Sequence, residues 1–416
     1  MCGSQSTSRD AGLADGAGSP AHALDTLRQY SCNARRCFIL GIMRSVCLLL
    51  LAVSLRAAVG QAPDTAPSAE ADKFLRAGIT AQQRGDLTAA IEAYRKALAI
   101  RPELAEARAN LGAALSAAGQ FDEAIAEDTR ALAVAPDKTA VRMNLALAYY
   151  KKDDLGHAVP EFEAVHAARP QDLSVAVLLG YAYIKLGRAP EAVNILMPLE
   201  SGHETNMDLE YVLGYALVQS GKEAEGLPRL EKAARATRSV DAYLIAGTAR
   251  LHRREFAEAL ADAEAAIAVD ATFPGLYTLA GQAQNAMGDT QGALLSLQAA
   301  LRSDPRDFTA NLYMGTIRLR QGDFEGARPL LELARQLQPT DPQARLEMAK
   351  LNGMTGRYTE AASELEDLEK SNPKWIDPHI ELAAIYYKLH RPEDGQRERA
   401  IVKQIDDRQQ KEGPQN

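Results

Sequence analysis

The sequence lacks several residue types on which common protein classes depend. All four cysteines (Cys2, Cys32, Cys37 and Cys47) precede residue 48, so the rest of the chain has no disulfide, thiolate metal site or cysteine nucleophile. Tryptophan occurs once and aromatic residues make up 6%, which disfavours an aromatic-rich sandwich or barrel. Stability must therefore come from the packing of apolar, mostly small side chains.

Positive charge is also scarce. The 416 residues include 47 Lys and Arg against 55 Asp and Glu, a net charge of −8. Residues 1–60 hold six Arg and three Asp, which leaves 41 basic and 52 acidic residues, or −11, for the remainder. An acidic body argues against a nucleic-acid-binding groove. The 46% apolar and 25% charged residues argue against wholesale disorder.

Recognisable catalytic and cofactor motifs are missing. No Gly-x-Ser-x-Gly elbow and no dinucleotide-binding glycine motif is present. None of the seven histidines stands at metal-site spacing from another ligand type. His203-Glu204 begins like a zinc-protease helix, but Met207 stands where the second histidine is needed. We therefore expect no catalytic residue, no metal site, no cofactor and no enzyme activity.

An export signal is the main feature of the first sixty residues. Arg44 precedes a ten-residue apolar run over residues 46–55, and Ala58 and Gly60 supply the small residues that a signal peptidase reads. The run is short of the about 20 residues that span a bilayer. We predict a signal peptide over residues 43–60, cleaved near Gly60, and a periplasmic or extracellular protein.

Alternatives for this region remain open. In the interpretation we favour, translation begins at Met43 and residues 1–42 are an untranslated or disordered leader. The rival interpretation is a genuine long leader that begins at Met1. In a third, residues 37–59 form one uncleaved helix that anchors the protein to the inner membrane, with its terminal arginines reaching the interface. Such an anchor is the only membrane contact that we expect.

A small residue recurs every 34 residues through the rest of the chain, with a single step of 33. The ten positions are Gly78, Gly112, Ala146, Gly180, Gly214, Gly247, Gly281, Gly315, Ala349 and Ala383. A second small residue follows each of them by twelve positions, from Ala90 to Gly395. A proline follows twelve residues later in six units, at Pro102, Pro136, Pro170, Pro305, Pro339 and Pro373. Self-similarity at this period indicates a repeat architecture.

Each unit predicts two amphipathic helices. In the first unit, apolar or small residues stand at helical spacing, at Phe74, Ala77, Gly78 and Ala81. The paired small residues let the two helices approach closely. Gly85 can take the left-handed conformation between the helices, and Asp86 can cap the second helix. The proline then ends that helix, since it has no amide hydrogen.

These spacings resemble the tetratricopeptide repeat (TPR) family. The resemblance implies an all-α fold, an α-solenoid (right-handed TPR superhelix) of about ten helix-turn-helix units over residues 71–410. A linker over residues 61–70 precedes the array and a tail over residues 411–416 follows it. The units start near residues 71, 105, 139, 173, 207, 240, 274, 308, 342 and 376. The fourth to sixth units depart from the pattern by lacking the proline, and the tenth by lacking a normal second helix.

The resemblance also implies where partners bind. In this family, the first helix of each unit lines a concave face that contacts a protein or peptide partner. The family positions transfer to Asn110, Asn144, Leu147, Tyr150, Tyr181, Ile184, Tyr211 and Tyr215. Tyrosine is common at binding hot spots, and asparagine there can hydrogen-bond the backbone of a peptide. The alternative is that several of these residues pack inside the protein.

We therefore expect a non-enzymatic protein–protein interaction scaffold, placed by family analogy in the cell envelope. Two other functions remain open. The apolar central groove can bind a small ligand or a lipid, or the protein can be a structural module that self-associates. The sequence does not identify the partner.

Overall fold

The computed structural model describes residues 66–135 and 138–412. Every regular element in these residues is helical, and there are twenty α-helices with one additional 3₁₀ turn. The helices follow one another as ten first-and-second pairs, which we number as repeats 1 to 10. The prediction of an all-α helical solenoid is confirmed.

The chain divides into two compact units at Ala242 and Tyr243. Ten helices precede this boundary. They are α1 (Ala66–Gln83), α2 (Leu87–Ile100), α3 (Ala105–Ala117), α4 (Phe121–Val134), α5 (Lys138–Lys151), α6 (Leu155–Ala168), α7 (Leu173–Lys185), α8 (Ala189–Leu196), α9 (Met207–Gln219) and α10 (Glu223–Thr237). The 3₁₀ turn Met197–Leu199 directly follows α8.

The boundary lies within α11 (Val240–His252). The C-terminal unit continues with α12 (Phe256–Val269), α13 (Leu276–Ala286), α14 (Thr290–Ser303), α15 (Phe308–Arg320), α16 (Phe324–Leu337), α17 (Pro342–Met354), α18 (Tyr358–Ser371), α19 (Ile376–Lys388) and α20 (Pro392–Glu412). Odd numbers are first helices of a repeat and even numbers are second helices.

The turns follow from the residues that the sequence places there. Gly85 has a φ of 77°, a conformation that costs glycine little. The Asp86 side chain accepts a hydrogen bond from the Ala89 amide at 3.0 Å and caps α2. After α2, Arg101 has a φ of −129°, because the Pro102 ring disfavours a helical conformation in the preceding residue. The predicted turn, cap and helix end are all confirmed.

Close packing of the paired helices explains the small residues. A Cβ atom on Gly78 would lie 2.5 Å from the Tyr94 ring, and one on Gly180 would lie 2.7 Å from Leu196. Each of these glycines therefore lies directly under a large side chain of the second helix. A Cβ atom at these two glycines therefore requires either the covering side chain or the helices to shift.

Helices pack on their neighbours along each unit. In the N-terminal unit, α1 packs on α2, α2 on α3, and α3 on α4. The same alternation links α13 through α20 in the C-terminal unit. The middle first helices are the most enclosed, since residues 175–184 of α7 and residues 209–217 of α9 are all buried. Among the described helices, none is both long enough and apolar enough to cross a bilayer.

The ends of the array differ from expectation. α1 begins at Ala66, so residues 66–70 of the predicted linker are helical; Pro67 lies in the first turn, where a missing amide hydrogen costs nothing. The tenth repeat does have a second helix, the 21-residue α20, and the expectation that it lacks a normal one was wrong. Its Glu, Lys, Arg and Gln residues favour helix although few are apolar. Residues 411 and 412, assigned to the tail, belong to α20.

Several predicted segments lie outside the described residues. They are the leader (residues 1–42), the signal peptide (43–60), the alternative anchor (37–59), the first half of the linker (61–65) and the end of the tail (413–416). Their assignments therefore stay predictions.

Candidate functional site

The predicted partner-binding residues all lie on first helices of the N-terminal unit. Asn110 is on α3; Asn144, Leu147 and Tyr150 are on α5; Tyr181 and Ile184 are on α7; Tyr211 and Tyr215 are on α9. Consecutive first helices contact one another, α3 with α5 and α7 with α9. The repeat register thus brings residues of neighbouring repeats onto one side of the unit.

The two asparagines do not have the same surroundings. The Asn144 side-chain nitrogen donates a hydrogen bond to the Ala109 carbonyl at 3.2 Å. This bond ties α5 to α3, so the Asn144 side chain supports the contact between repeats 2 and 3. Asn110, one residue after that carbonyl, is half-buried on α3.

Four of the predicted tyrosines form a group that we call the tyrosine cluster: Tyr150, Tyr181, Tyr211 and Tyr215. The Tyr211 and Tyr215 rings are 6.2 Å apart and tilted by 52°. The Tyr150 ring meets Phe162 edge-on, with centroids 6.0 Å apart. The Lys185 ammonium lies 5.4 Å from the centre of the Tyr181 ring, within the range of a cation–π contact.

The tyrosine cluster is largely enclosed. Its members expose between 5% and 8% of their surface, and Ile184 and Leu147 expose 6% and 4%. Most of each ring therefore packs against the protein, as the alternative interpretation of these residues expected. Only a small part of each tyrosine is therefore open to a partner.

The charge of one carboxylate, that of Asp241, acts on the tyrosine cluster. Burial raises the pKa of Tyr211, and the charge of Asp241 and the phenols of Tyr181, Tyr215 and Tyr150 add to this rise. Burial also raises the pKa of Asp241 to about 6, while the Lys185 ammonium opposes that rise. Asp241 is thus mostly ionised at neutral pH, although its charge is incompletely solvated. Sequence reasoning missed Asp241, because it belongs to the next repeat and approaches the tyrosines only in the folded array.

A further tyrosine on α7 has a different environment. The Tyr183 hydroxyl donates a hydrogen bond to Glu163 at 2.7 Å, and the Arg188 guanidinium lies 4.4 Å from the ring centre. Burial and this carboxylate acceptor raise the pKa of Tyr183 to about 12. Tyr183 therefore joins repeat 4 to repeat 3 through Glu163. It provides a control position for substitutions in the tyrosine cluster.

A second group of ionisable residues lies in the C-terminal unit. His379 on α19 is close to Glu398 on α20 and Glu369 on α18, and one donor atom of each lies within 4.8 Å of the others. The sequence spacing of the histidines gave no indication of this group, and the expectation of no metal site stays a prediction. These residues are too far apart in sequence for a linear motif, and three helices bring them together.

The sequence did contain a pattern from which the His379–Glu398 contact could have been predicted. In three other repeats, an arginine near the start of the first helix pairs with a glutamate 19 residues later in the second helix. These pairs are Arg108–Glu127, Arg142–Glu161 and Arg345–Glu364. His379 and Glu398 stand at the same 19-residue separation. Alignment of the charged residues by repeat position would have identified His379 as the histidine in an arginine position.

Stacked helix pairs with small residues at their contacts define a repeat solenoid. One TPR family model matches residues 82–119. A tetratricopeptide repeat model matches residues 114–172, 143–197, 211–275 and 278–342, together just over half of the chain. Another tetratricopeptide repeat model matches residues 318–381. The chain belongs to the tetratricopeptide repeat family.

Solved structures with a similar fold include a tetratricopeptide repeat protein from Parabacteroides merdae. It is 18% identical with a TM-score of 0.45, over 59% of this chain and 98% of that one. Yeast Tom70 is 13% identical with a TM-score of 0.36, over 80% of this chain and 92% of its own. YrrB, described as a TPR protein with an unusual peptide-binding site, is 21% identical with a TM-score of 0.41, over 47% and 99%. No protein with a curated description matches the sequence.

Proposed function

We propose that this protein is a non-enzymatic scaffold that binds a segment of a partner protein on the first helices of repeats 3 to 5. The observation that carries this proposal is the placement of Tyr150, Tyr181, Tyr211 and Tyr215 on three successive first helices, with the Tyr211 and Tyr215 rings 6.2 Å apart. Repeat solenoids use such continuous faces to bind extended or helical segments.

The chemistry of the cluster favours a partner segment with a Lys or Arg side chain. The face of an aromatic ring attracts a cation, and the tyrosine hydroxyl oxygen can accept a hydrogen bond from one. Asp241 supplies a negative charge that burial has partly stripped of water. A cationic side chain of a partner would add to the Lys185 charge near that carboxylate, and its aliphatic stem would pack on the exposed part of the tyrosines.

Selection of peptides from a random library tests this proposal even though the natural partner is unidentified. Peptides are selected on the wild-type protein, and their affinities are measured by fluorescence anisotropy. We expect Tyr181→Ala combined with Tyr215→Ala to weaken binding at least about tenfold, as for hot-spot residues. Asp241→Asn is expected to weaken binding of peptides with Lys or Arg while leaving the packing unchanged.

The matched control is Tyr183→Phe, on the same helix as Tyr181. It removes only the hydroxyl that is bonded to Glu163, so peptide affinity should stay at the wild-type value. Equal affinities for all variants, with unchanged circular dichroism, would place binding elsewhere on the protein. A bound small molecule of constant mass in native mass spectrometry, with no peptide enrichment, would support the ligand alternative. Concentration-dependent sedimentation would support self-association.

The titration of Asp241 gives the binding a pH dependence. Above about pH 6 the carboxyl is ionised and attracts a cation, and below that pH it is neutral. We therefore expect the affinity for a cationic peptide to fall as the pH decreases from 7.5 to 5, and Asp241→Asn to remove most of this change.

The effect of Asp241 on folding stability has the opposite pH dependence. Because the folded state has the higher pKa, the stabilising contribution is present below the unfolded pKa and is lost as the pH rises through about 6.

We also propose that the scaffold acts outside the cytoplasm. The support is the charged residue, apolar run and small-residue cleavage site over residues 43–60. N-terminal sequencing of the protein from cell fractions tests it, and we expect a mature chain that begins near Gln61 in the exported fraction. A chain that retains Met43 and stays in the cytosolic fraction would contradict export, while retention of residues 37–59 in the membrane fraction would support the anchor.

A further inference from the structure

Three helices of the C-terminal unit bring one imidazole and two carboxylates together. His379 Nδ1 lies 2.8 Å from Glu398 Oε2 and 3.9 Å from Glu369 Oε1. The His379 and Glu398 side chains are almost fully buried, whereas the Glu369 side chain is 29% exposed. His379 and Glu398 are thus enclosed by the protein, whereas Glu369 forms the side of the group that is open to solvent.

The hydrogen bonding of His379 determines which of its nitrogens faces the carboxylates. Nε2 lies 3.4 Å from the Pro373 carbonyl, which can only accept a hydrogen bond, so Nε2 carries a proton. Nδ1 then points at two carboxylates. A lone pair on Nδ1 would repel two ionised carboxylates, so either a proton shared with the carboxylates or a metal ion lies between them. Metal-binding histidines commonly donate their other N–H to a backbone carbonyl in this way.

Charge balance distinguishes a proton from a metal ion at this position. One shared proton supplies a single positive charge for the two carboxyl groups of Glu369 and Glu398. A divalent ion with a neutral imidazole balances both carboxylates. In repeats 2 and 3, the equivalent bridges Arg108–Glu127 and Arg142–Glu161 place a permanent cation against the carboxylate, and in repeat 2 Arg130 adds a second cation. The tenth repeat differs both in its histidine and in the additional carboxylate of Glu369.

We propose that His379, Glu398 and Glu369 bind one divalent transition-metal ion such as Zn²⁺. A tetrahedral Zn²⁺ holds nitrogen and oxygen ligands at about 2.0–2.2 Å, which separates ligand atoms by about 3.4 Å. The observed separations of 2.8 and 3.9 Å bracket that value. Water completes the coordination on the exposed side of Glu369. An imidazole ligand favours Zn²⁺ over Mg²⁺ and Ca²⁺, which prefer oxygen.

Zinc titration of the full-length chain tests the site. The protein is stripped with EDTA, its four N-terminal cysteines are alkylated, and Zn²⁺ binding is followed by equilibrium dialysis. We expect one Zn²⁺ per chain that excess Mg²⁺ does not displace, and a higher melting temperature with Zn²⁺. His379→Gln and Glu398→Gln should each weaken this binding at least about tenfold, the scale on which single residues of a metal site act.

Two further variants separate metal binding from a simple ion pair. Glu369→Gln leaves the His379–Glu398 contact intact, so it should preserve the circular dichroism of the apo protein and still weaken Zn²⁺ binding at least about tenfold. His157→Gln is the control, because His157 also lies 2.8 Å from a carboxylate, that of Asp154, but on the exposed surface. This variant should bind Zn²⁺ as the wild type does.

Nitrogen NMR of the histidine rings gives a second readout. We expect saturating Zn²⁺ to shift the His379 Nδ1 resonance while Nε2 keeps its proton. The proposal is overturned if both ring nitrogens stay protonated with Zn²⁺ present, or if wild type, Glu369→Gln and His379→Gln bind Zn²⁺ equally.

Discussion

The first two repeats place different residues at the same position of one hairpin. In repeat 1, the Tyr94 ring of α2 covers Gly78 of α1, and its hydroxyl donates a hydrogen bond to Gln82 at 2.7 Å. In repeat 2, the Asp128 carboxylate of α4 covers Gly112 of α3. Both side chains are completely buried, but among the described residues neither Asp128 oxygen has a hydrogen-bond partner.

The difference shows that a repeat can fold with an unfavourable residue at a buried position, here the Asp128 carboxyl. A buried carboxyl without a partner carries a desolvation cost, and burial raises the pKa of Asp128 well above its ordinary value, with the nearby Glu127 adding to the rise. Close packing of the surrounding small residues holds the hairpin together nonetheless. Repeat 2 is therefore expected to be less stable than repeat 1.

The largest change in stability is expected when Tyr94 of repeat 1 is replaced by aspartate, the residue at the same position of repeat 2. Tyr94→Asp removes a fully buried ring and leaves a carboxyl in its place, at a cost of about 4 kcal/mol or more. Hydrogen exchange of the α1 and α2 amides measures the local free energy of opening. Unchanged protection of these amides would mean that Tyr94 contributes little to the hairpin.

The converse change should stabilise repeat 2. Asp128→Leu supplies the residue found over the corresponding glycine in Gly180–Leu196 and Gly281–Leu297. Removal of the unpartnered carboxyl and burial of an apolar side chain should contribute about 2–3 kcal/mol. Protection of the α3 and α4 amides should rise, whereas that of α19 should not change. A loss of protection would show that the leucine does not fit.

A smaller effect is expected from pH. Because the pKa of Asp128 is higher in the folded state, its stabilising contribution is complete below the unfolded pKa and is lost as the pH rises toward the folded value. Repeat 2 should therefore open more easily at pH 8 than at pH 5. The isosteric Asp128→Asn should remove this dependence, which pH-corrected exchange of the α4 amides measures. Equal pH dependence in both proteins would contradict the assignment to Asp128.

The smallest effect isolates the hydroxyl of Tyr94. Tyr94→Phe keeps the ring over Gly78 but loses the hydrogen bond to Gln82, which should cost about 1 kcal/mol. Urea unfolding of the full chain measures this change, with Tyr358→Phe as a control in the C-terminal unit. A cost near that of Tyr94→Asp would show that the hydrogen bond, and not the ring, stabilises the hairpin.

The repeat pattern predicted the local structure well because each of its signals acts over a few residues. The Gly85-Asp86 turn, the cap on Ala89 and the end of α2 before Pro102 need no distant contact. α20 was harder to predict, because its few apolar residues gave no clear period although its composition favours helix.

The candidate sites were only partly predictable. The family positions located the tyrosines, but not the Asn144 bond to Ala109 or the approach of Asp241 to the cluster. These contacts join different repeats, and their geometry depends on how the helices stack. The same limit applies to Glu369, which reaches His379 from the preceding repeat.

The amino-acid pattern was enough to predict the order of the helix pairs and their turns, because small residues at 34-residue spacing and helix-ending prolines act locally. Which charges and phenols meet depends on the folded array. Side chains of successive repeats pack together in a buried space with little water. There a hydrogen bond is stronger than in water, and a polar group without a partner is more costly.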